Sequence, residues 1–207
     1  MNPLFFGPSD GRLYGAYFAP SGRPRSRGVV ICNPFGDEAI KAHRALRQLA
    51  LMLVEAGLHV FRFDYLGTGD SAGDDEAGTL AQWVDDTVRA IDELRDTAGL
   101  NRIAVTGLRL GASIAYLAAR HHKAVDRAVL WDPVLDGSAY LTELKRHHQT
   151  YLEAEFKAEG PRLEHAGFTD QELMGVFLST ALHDEIEQLR LATVEPPPHR
   201  TLWLVHG

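Results

Sequence analysis

Arg102-Ile103-Ala104-Val105-Thr106-Gly107-Leu108-Arg109-Leu110-Gly111-Ala112 is the stretch on which the fold turns. Residues 102–106 read as a strand and residues 112–120 as a helix, so residues 107–111 must make a tight strand-to-helix turn. A turn of this kind lifts its middle side chain out of the sheet and points helix N–H groups at whatever sits beside it. Glycines flank it because a side chain there would collide with the neighbouring strand and helix. The middle residue is Arg109.

Outward from this turn the chain alternates. Residues 28–32 form a continuous apolar run stopped by Asn33-Pro34, and residues 59–64 form another strand-like segment. Between them, residues 39–56 carry Leu46, Leu49 and Leu53 at helical spacing and stop at Gly57. A helix over 80–94, with Trp83, Val88 and Ile91 on one side, precedes the 102–106 strand, and residues 127–132 make the next strand. Strands alternating with such helices predict an α/β fold with a mostly parallel, doubly wound sheet and helices on both faces. Functional residues then belong at the carboxyl ends of the strands. An early strand over 13–19, followed by the turn-rich Ser21-Gly22-Arg23-Pro24, is expected to pair antiparallel.

After Asp132-Pro133 the rhythm changes. Two helical segments, roughly 140–157 and 169–191, read as a helical cap inserted above the sheet, closed by Glu195-Pro196-Pro197-Pro198. The expected organisation is a core over 1–136, a cap over 137–195 and a further core strand in 196–207.

Composition narrows the function classes. With 45% hydrophobic and 24% charged residues the chain has the make-up of an ordinary globular protein. Its formal charge of -7 repels phosphate backbones, and along the sequence no lysine or arginine cluster stands clear of acidic neighbours, so no nucleic-acid partner is expected. Cys32 is the single cysteine, which excludes an internal disulfide and a Cys-x-x-Cys site and fits a reducing, cytoplasmic setting. The first residues lack the basic and apolar regions of a signal peptide, and no membrane span is expected.

A second Gly-x-Ser-x-Gly match, Gly69-Asp70-Ser71-Ala72-Gly73, lies in the wrong context. It sits in a loop after the 59–64 strand, and the next helix starts only near Thr79, so Ser71 is a poor candidate nucleophile. Together with Asn33-Pro34-Phe35-Gly36, the two glycine segments give the chain its resemblance to the α/β-hydrolase superfamily, in its serine aminopeptidase-like branch. The Gly-Leu-Arg-Leu-Gly-Ala and Pro-Phe-Gly-Asp-Glu runs also resemble hydrolase-like proteins associated with exosortase systems. The similarity covers most of 28–132 and again 201–207.

That resemblance implies several roles. Asn33 to Gly36 matches the oxyanion loop, so the backbone N–H groups of Phe35 and Leu110 would be the oxyanion donors. The family's acid and histidine would fall beyond Gly207, giving a C-terminally incomplete fold, and His206 matches a packing residue of the pre-acid His-Gly. Arg109 stands at the serine position. A guanidinium stays protonated at physiological pH and is no acyl-transfer nucleophile.

A cation at a helix N-terminus is opposed by the helix dipole, by a few tenths to about 1 kcal/mol, so an anion should compensate. Asp37, Glu38 and Asp132 are the candidates, through a bidentate arginine–carboxylate pair. Two readings of Arg109 follow: it grips an anionic group of a ligand, or it is tied down by Glu38 or Asp132 over a closed pocket. At the level of function, an ester, thioester or amide hydrolase-like protein stands beside a non-catalytic binding or assembly protein and beside an incomplete hydrolase chain. A small acyl or anionic ligand is the expected partner, with no cofactor and no metal.

The remaining groups read as structural. Cys32 is expected to be buried, and Ser113 to pack or bond back to its own helix. His121-His122 and His147-His148 point apart on helices and are expected at the surface. Asp74-Asp75-Glu76 is read as a solvated loop, and Asp85, Asp86, Asp92 and Glu93 as the wet face of a helix.

Overall fold

The computed structural model describes residues 1–156, 172–173, 176–196 and 199–205. The core strands are β1 (Asn2–Phe6), β2 (Leu13–Phe18), β3 (Gly28–Cys32), β4 (His59–Phe63), β5 (Ile103–Leu108) and β6 (Val125–Trp131). Helix α1 (Gly36–Glu55) follows β3, α2 (Leu80–Ala98) follows β4 and α3 (Leu110–His121) follows β5. Beyond β6 come α4 (Gly137–Phe156), the short strands β7 (Glu172–Leu173) and β8 (Val176–Phe177), α5 (Thr180–Gln188) and β9 (Arg200–Leu204).

Seven strands of the described residues form one sheet in the order β1-β2-β4-β3-β5-β6-β9. β1 and β2 pair antiparallel, as does β2 with β4, and every pairing from β4 to β9 is parallel. Alternation along β3 explains the layering, since successive residues of a strand face opposite sides. Val29 and Ile31 pack with Ala42, Leu46, Ala50 and Val54 of α1. Val30 and Cys32 instead join Ile91 and Leu94 of α2 and Ala115 and Ala119 of α3. Both faces of the sheet are thereby covered, which is why β3 reads as an unbroken apolar run.

Several expectations are corrected. β1 is a strand at the sheet's edge that the sequence reading did not assign. The second cap segment, read as a helix over 169–191, contains the antiparallel pair of β7 and β8, and its helix covers only Thr180–Gln188. Part of that segment lies outside the described residues, as do Pro197, Pro198 and His206. Asp86 is fully buried rather than on a wet face. Its carboxylate accepts from the Leu66 backbone N–H at 2.9 Å and from Gln82 Nε2 at 2.7 Å, fastening α2 to the loop after β4. Burial raises its pKa, opposed by these bonds and by Arg89. His122 is largely buried too, with Nε2 3.0 Å from Asp92.

The segment between β6 and β9 leaves and returns at one point. Gly137 N–H donates to the Leu189 carbonyl at 2.9 Å and Leu191 N–H to the Leu135 carbonyl at 2.8 Å. A Cβ on Gly137 would lie 1.6 Å from the Ile186 carbonyl oxygen, so only glycine lets α4 start where it crosses α5. Among the described residues no helix is long and apolar enough to cross a membrane.

Candidate functional site

The turn between β5 and α3 is the tight one anticipated from its glycines, and its backbone is strained. Arg109 has φ 54° and ψ -124°, immediately before the first residue of α3. A Cβ on Gly107 would sit 2.4 Å from the Gly111 carbonyl oxygen, and one on Gly111 would sit 2.2 Å from the Asn33 carbonyl oxygen. The start of α3 therefore rides directly on the end of β3 and the loop after it. Among the described residues only one other non-glycine has positive φ, Asp132 (47°), at the carboxyl end of β6. Such conformations cost of order 1–3 kcal/mol each and concentrate at functional positions.

Arg109 and Asp132 meet, within a larger cluster. Arg109 Nε donates to Glu38 Oε1 at 2.9 Å, Nη1 to Asp132 Oδ2 at 3.1 Å and Nη2 to Glu143 Oε2 at 2.6 Å. The guanidinium carbon lies 5.3 Å from the centroid of the Tyr140 ring, and the Tyr140 hydroxyl donates to Glu38 Oε2 at 2.8 Å. One cation thus joins α1, β6 and α4, each guanidinium nitrogen taking a different carboxylate. No single bidentate pair forms, contrary to expectation. Burial pulls the Arg109 pKa down, but the hydrogen bonds and charges of Glu38 and Glu143 outweigh it and raise the pKa above its ordinary value. Burial, followed by the Glu38 charge, pushes the Tyr140 hydroxyl well above its usual range and keeps it a donor.

The other anticipated residues are placed as follows. Glu38 and Asp132 reach Arg109, whereas Asp37 pairs with Lys41 at 2.5 Å one turn along α1. Glu38 occupies the first turn of α1, where the helix dipole also favours a carboxylate. Asn33 is turned into the fold, with Nδ2 donating to the Phe63 carbonyl at 2.9 Å. Phe35, Gly36 and Leu110 line a cavity of about 570 Å³ that also takes in Tyr65, Trp83 and Ile114. Arg109 is not part of that lining. Sequence reasoning missed Glu143 and Tyr140. Their three-residue spacing on the first turns of α4, interleaved with Leu141 and Leu144, was the available signal.

Ser71 is committed elsewhere. Its Oγ accepts from the Tyr14 N–H at 2.9 Å and donates to the Asp64 carbonyl at 2.6 Å, holding the loop after β4 against β2. Ser113, expected to pack or to bond back to its own helix, is fully buried and donates across to the Val134 carbonyl at 2.8 Å. Cys32 is fully buried, and burial pushes its thiol up to about 12, against the opposing effects of Thr87 and Tyr65. The folded protein should therefore leave an aromatic disulfide reagent unreacted at pH 8, and release one equivalent of thiolate only on unfolding.

Residues 23–172 match the family model described as serine aminopeptidase, S33. The chain belongs to that family. It is 31% identical over 123 residues to the protein YfhR of Salmonella typhimurium, an alignment that covers 57% of this chain and spans only 40% of that relative's length. In fold it is similar to Est1E of Butyrivibrio proteoclasticus, solved with ferulic acid bound, with a TM-score of 0.68, 17% identity, and coverage of 97% of this chain and 77% of that one. It is likewise similar to the α/β-hydrolase GrgF of a Penicillium species, with a TM-score of 0.62, 20% identity, and coverage of 93% and 74%. The sheet is accordingly that of an α/β-hydrolase. Within this serine aminopeptidase-family chain, the strained strand-to-helix turn carries a guanidinium held by three carboxylates.

Proposed function

We propose that this serine aminopeptidase-family chain is a non-catalytic binding protein, which holds a small acyl ligand in the cavity beside the turn and uses Arg109 to lock the turn. The guanidinium coordination carries the reading. Its three nitrogens already meet Glu38, Asp132 and Glu143, so the cluster has an excess of negative charge and offers an incoming anion little attraction. Arg109 as the ligand's own anion clamp is thereby disfavoured. A protonated guanidinium also cannot open an acyl bond as a serine alkoxide would.

The cavity supports the binding half. Phe35 and Leu110 line one space, so two backbone N–H donors that do not depend on the Arg109 side chain can meet a ligand carbonyl there. Trp83, Ile114 and Tyr65 supply an apolar wall, and the volume of about 570 Å³ suits a small molecule.

Titrating the isotopically labelled chain with hexanamide, an unreactive acyl probe, should shift the Phe35 and Leu110 amide resonances saturably. Ala39→Trp, which fills the cavity mouth, should abolish the shifts. In parallel, the p-nitrophenyl ester of hexanoate should turn over no faster than with denatured protein. Absence of saturable shifts removes the binding reading, and turnover that disappears in Ser71→Ala removes the non-catalytic one.

A further inference from the structure

On the opposite side of the sheet from Arg109, at the amino ends of its strands, basic side chains from separate stretches of sequence converge. Arg102 precedes β5, Lys123 and Arg127 flank the start of β6, and Arg200 opens β9. With His199 they line a concavity of about 590 Å³. Arg102 and Arg127 also line an adjoining one of about 340 Å³, together with Arg25 and Arg27. The sequence shows no such cluster because the residues of the larger concavity are spread over about a hundred positions, from Arg102 to Arg200, and the chain as a whole carries a formal charge of -7.

The arrangement works against its own stability. Arg127 and Arg200 are direct register partners on neighbouring strands, where like charges repel. Among the described residues Asp126 is the carboxylate that lines the larger concavity: its Oδ2 meets Arg27 Nη2 at 2.5 Å and Arg102 Nε at 2.9 Å, while Oδ1 is buried without a hydrogen-bond partner, so one negative charge faces five basic side chains. Lys123, Arg127 and Arg200 form no ion pair with a described residue. Both ring nitrogens of His199 are buried without a hydrogen-bond partner among the described residues, leaving an N–H beside the cations with no acceptor.

We propose that this concavity binds a compact multivalent phosphate, an oligophosphate chain bridging Lys123, Arg127 and Arg200 with the His199 ring as a further donor. Planar guanidinium groups match phosphate oxygens in pairs, and several around one hollow favour an anion whose charges are close together. A hollow of this volume admits a small molecule rather than a duplex. Among the described residues its lining contains no tryptophan, tyrosine or phenylalanine on which a base could stack, which disfavours a single-stranded nucleic acid.

Calorimetric titration of the full chain with inorganic triphosphate, at fixed ionic strength, tests this. One saturable site is expected, weakened about tenfold or more in Arg127→Gln/Arg200→Gln and clearly in Lys123→Gln. Because the double variant relieves a repulsion, its unliganded unfolding midpoint should equal or exceed that of the parent, and triphosphate should raise the parent's midpoint only. ATP should bind no tighter than inorganic triphosphate, and citrate, of comparable charge, more weakly. Absence of a saturable site, undiminished binding by the double variant, or equal affinity for citrate would each overturn the proposal. Tighter binding of an oligoribonucleotide through the same three residues would reassign the surface to nucleic acid and overturn it as well.

Discussion

Replacing Arg109 with alanine should lower the midpoint of thermal unfolding by about 5–10 °C, the drop expected from losing roughly 2–3 kcal/mol in a chain of this length. The full cost of breaking a buried ion pair is not expected, because Arg109 is 20% exposed and its three carboxylates are 24%, 32% and 40% exposed, so solvent screens part of the repulsion left behind. The loss still exceeds that of an ordinary surface pair, since one truncation leaves Glu38, Asp132 and Glu143 facing each other.

Hydrogen exchange should localise the damage. Amides in the first turns of α4, around Tyr140 and Glu143, should exchange faster than in the parent, while those of β3 and β5 hold. Arg109→Lys should recover only a fraction, because an ammonium cannot reach three carboxylates in the directions the guanidinium plane serves.

A substitution of one methyl group should do more. Gly111→Ala places a Cβ 2.2 Å from the Asn33 carbonyl oxygen and 2.8 Å from that of Cys32. Both contacts are backbone, at the end of the fully buried strand β3, so neither can swing aside. The start of α3 must lift off β3, at a cost of about 3 kcal/mol or more, and the soluble yield should fall sharply. Gly99→Ala is the control: its φ is +63° but no atom lies within 4 Å of the added Cβ, leaving only a backbone penalty of about 1 kcal/mol. Denaturant midpoints of the two variants separate crowding from conformation.

What could be read from the sequence follows from which interactions are local. The strand, turn and helix around Gly107 and Gly111 were legible because close backbone approach forces glycine at fixed spacing. Glu38 and Asp132 were legible as partners of Arg109 because the topology of a parallel sheet brings the ends of its strands and the starts of its helices to one edge. Glu143 and Tyr140 were not, since the seating of α4 on that edge is decided by tertiary packing and leaves little trace in the helix itself.

Asp86 was misread for the opposite reason. Its acidic neighbour Asp85 suggested a solvated face, although Trp83, Thr87, Ala90, Ile91 and Leu94 set a buried stripe on which position 86 falls. β1 escaped notice because Pro3 lies within a five-residue run. Proline is tolerated there because β1 is an edge strand that needs donors on one side only. The basic hollow was invisible in sequence, since Arg102, Arg127 and Arg200 become neighbours only when β5, β6 and β9 align.

On the proposed reading, Arg109 holds the strand-to-helix turn of this serine aminopeptidase-family chain for structure, and the turn presents no nucleophile. Incubating the folded chain with a fluorophosphonate probe and weighing it intact by mass spectrometry tests this most directly. An unmodified mass is expected, with Ser71 and Ser113 retaining their hydrogen bonds to the Asp64 and Val134 carbonyls. A stoichiometric adduct that maps to Ser71, or to any other serine, and is lost on heat denaturation would contradict it.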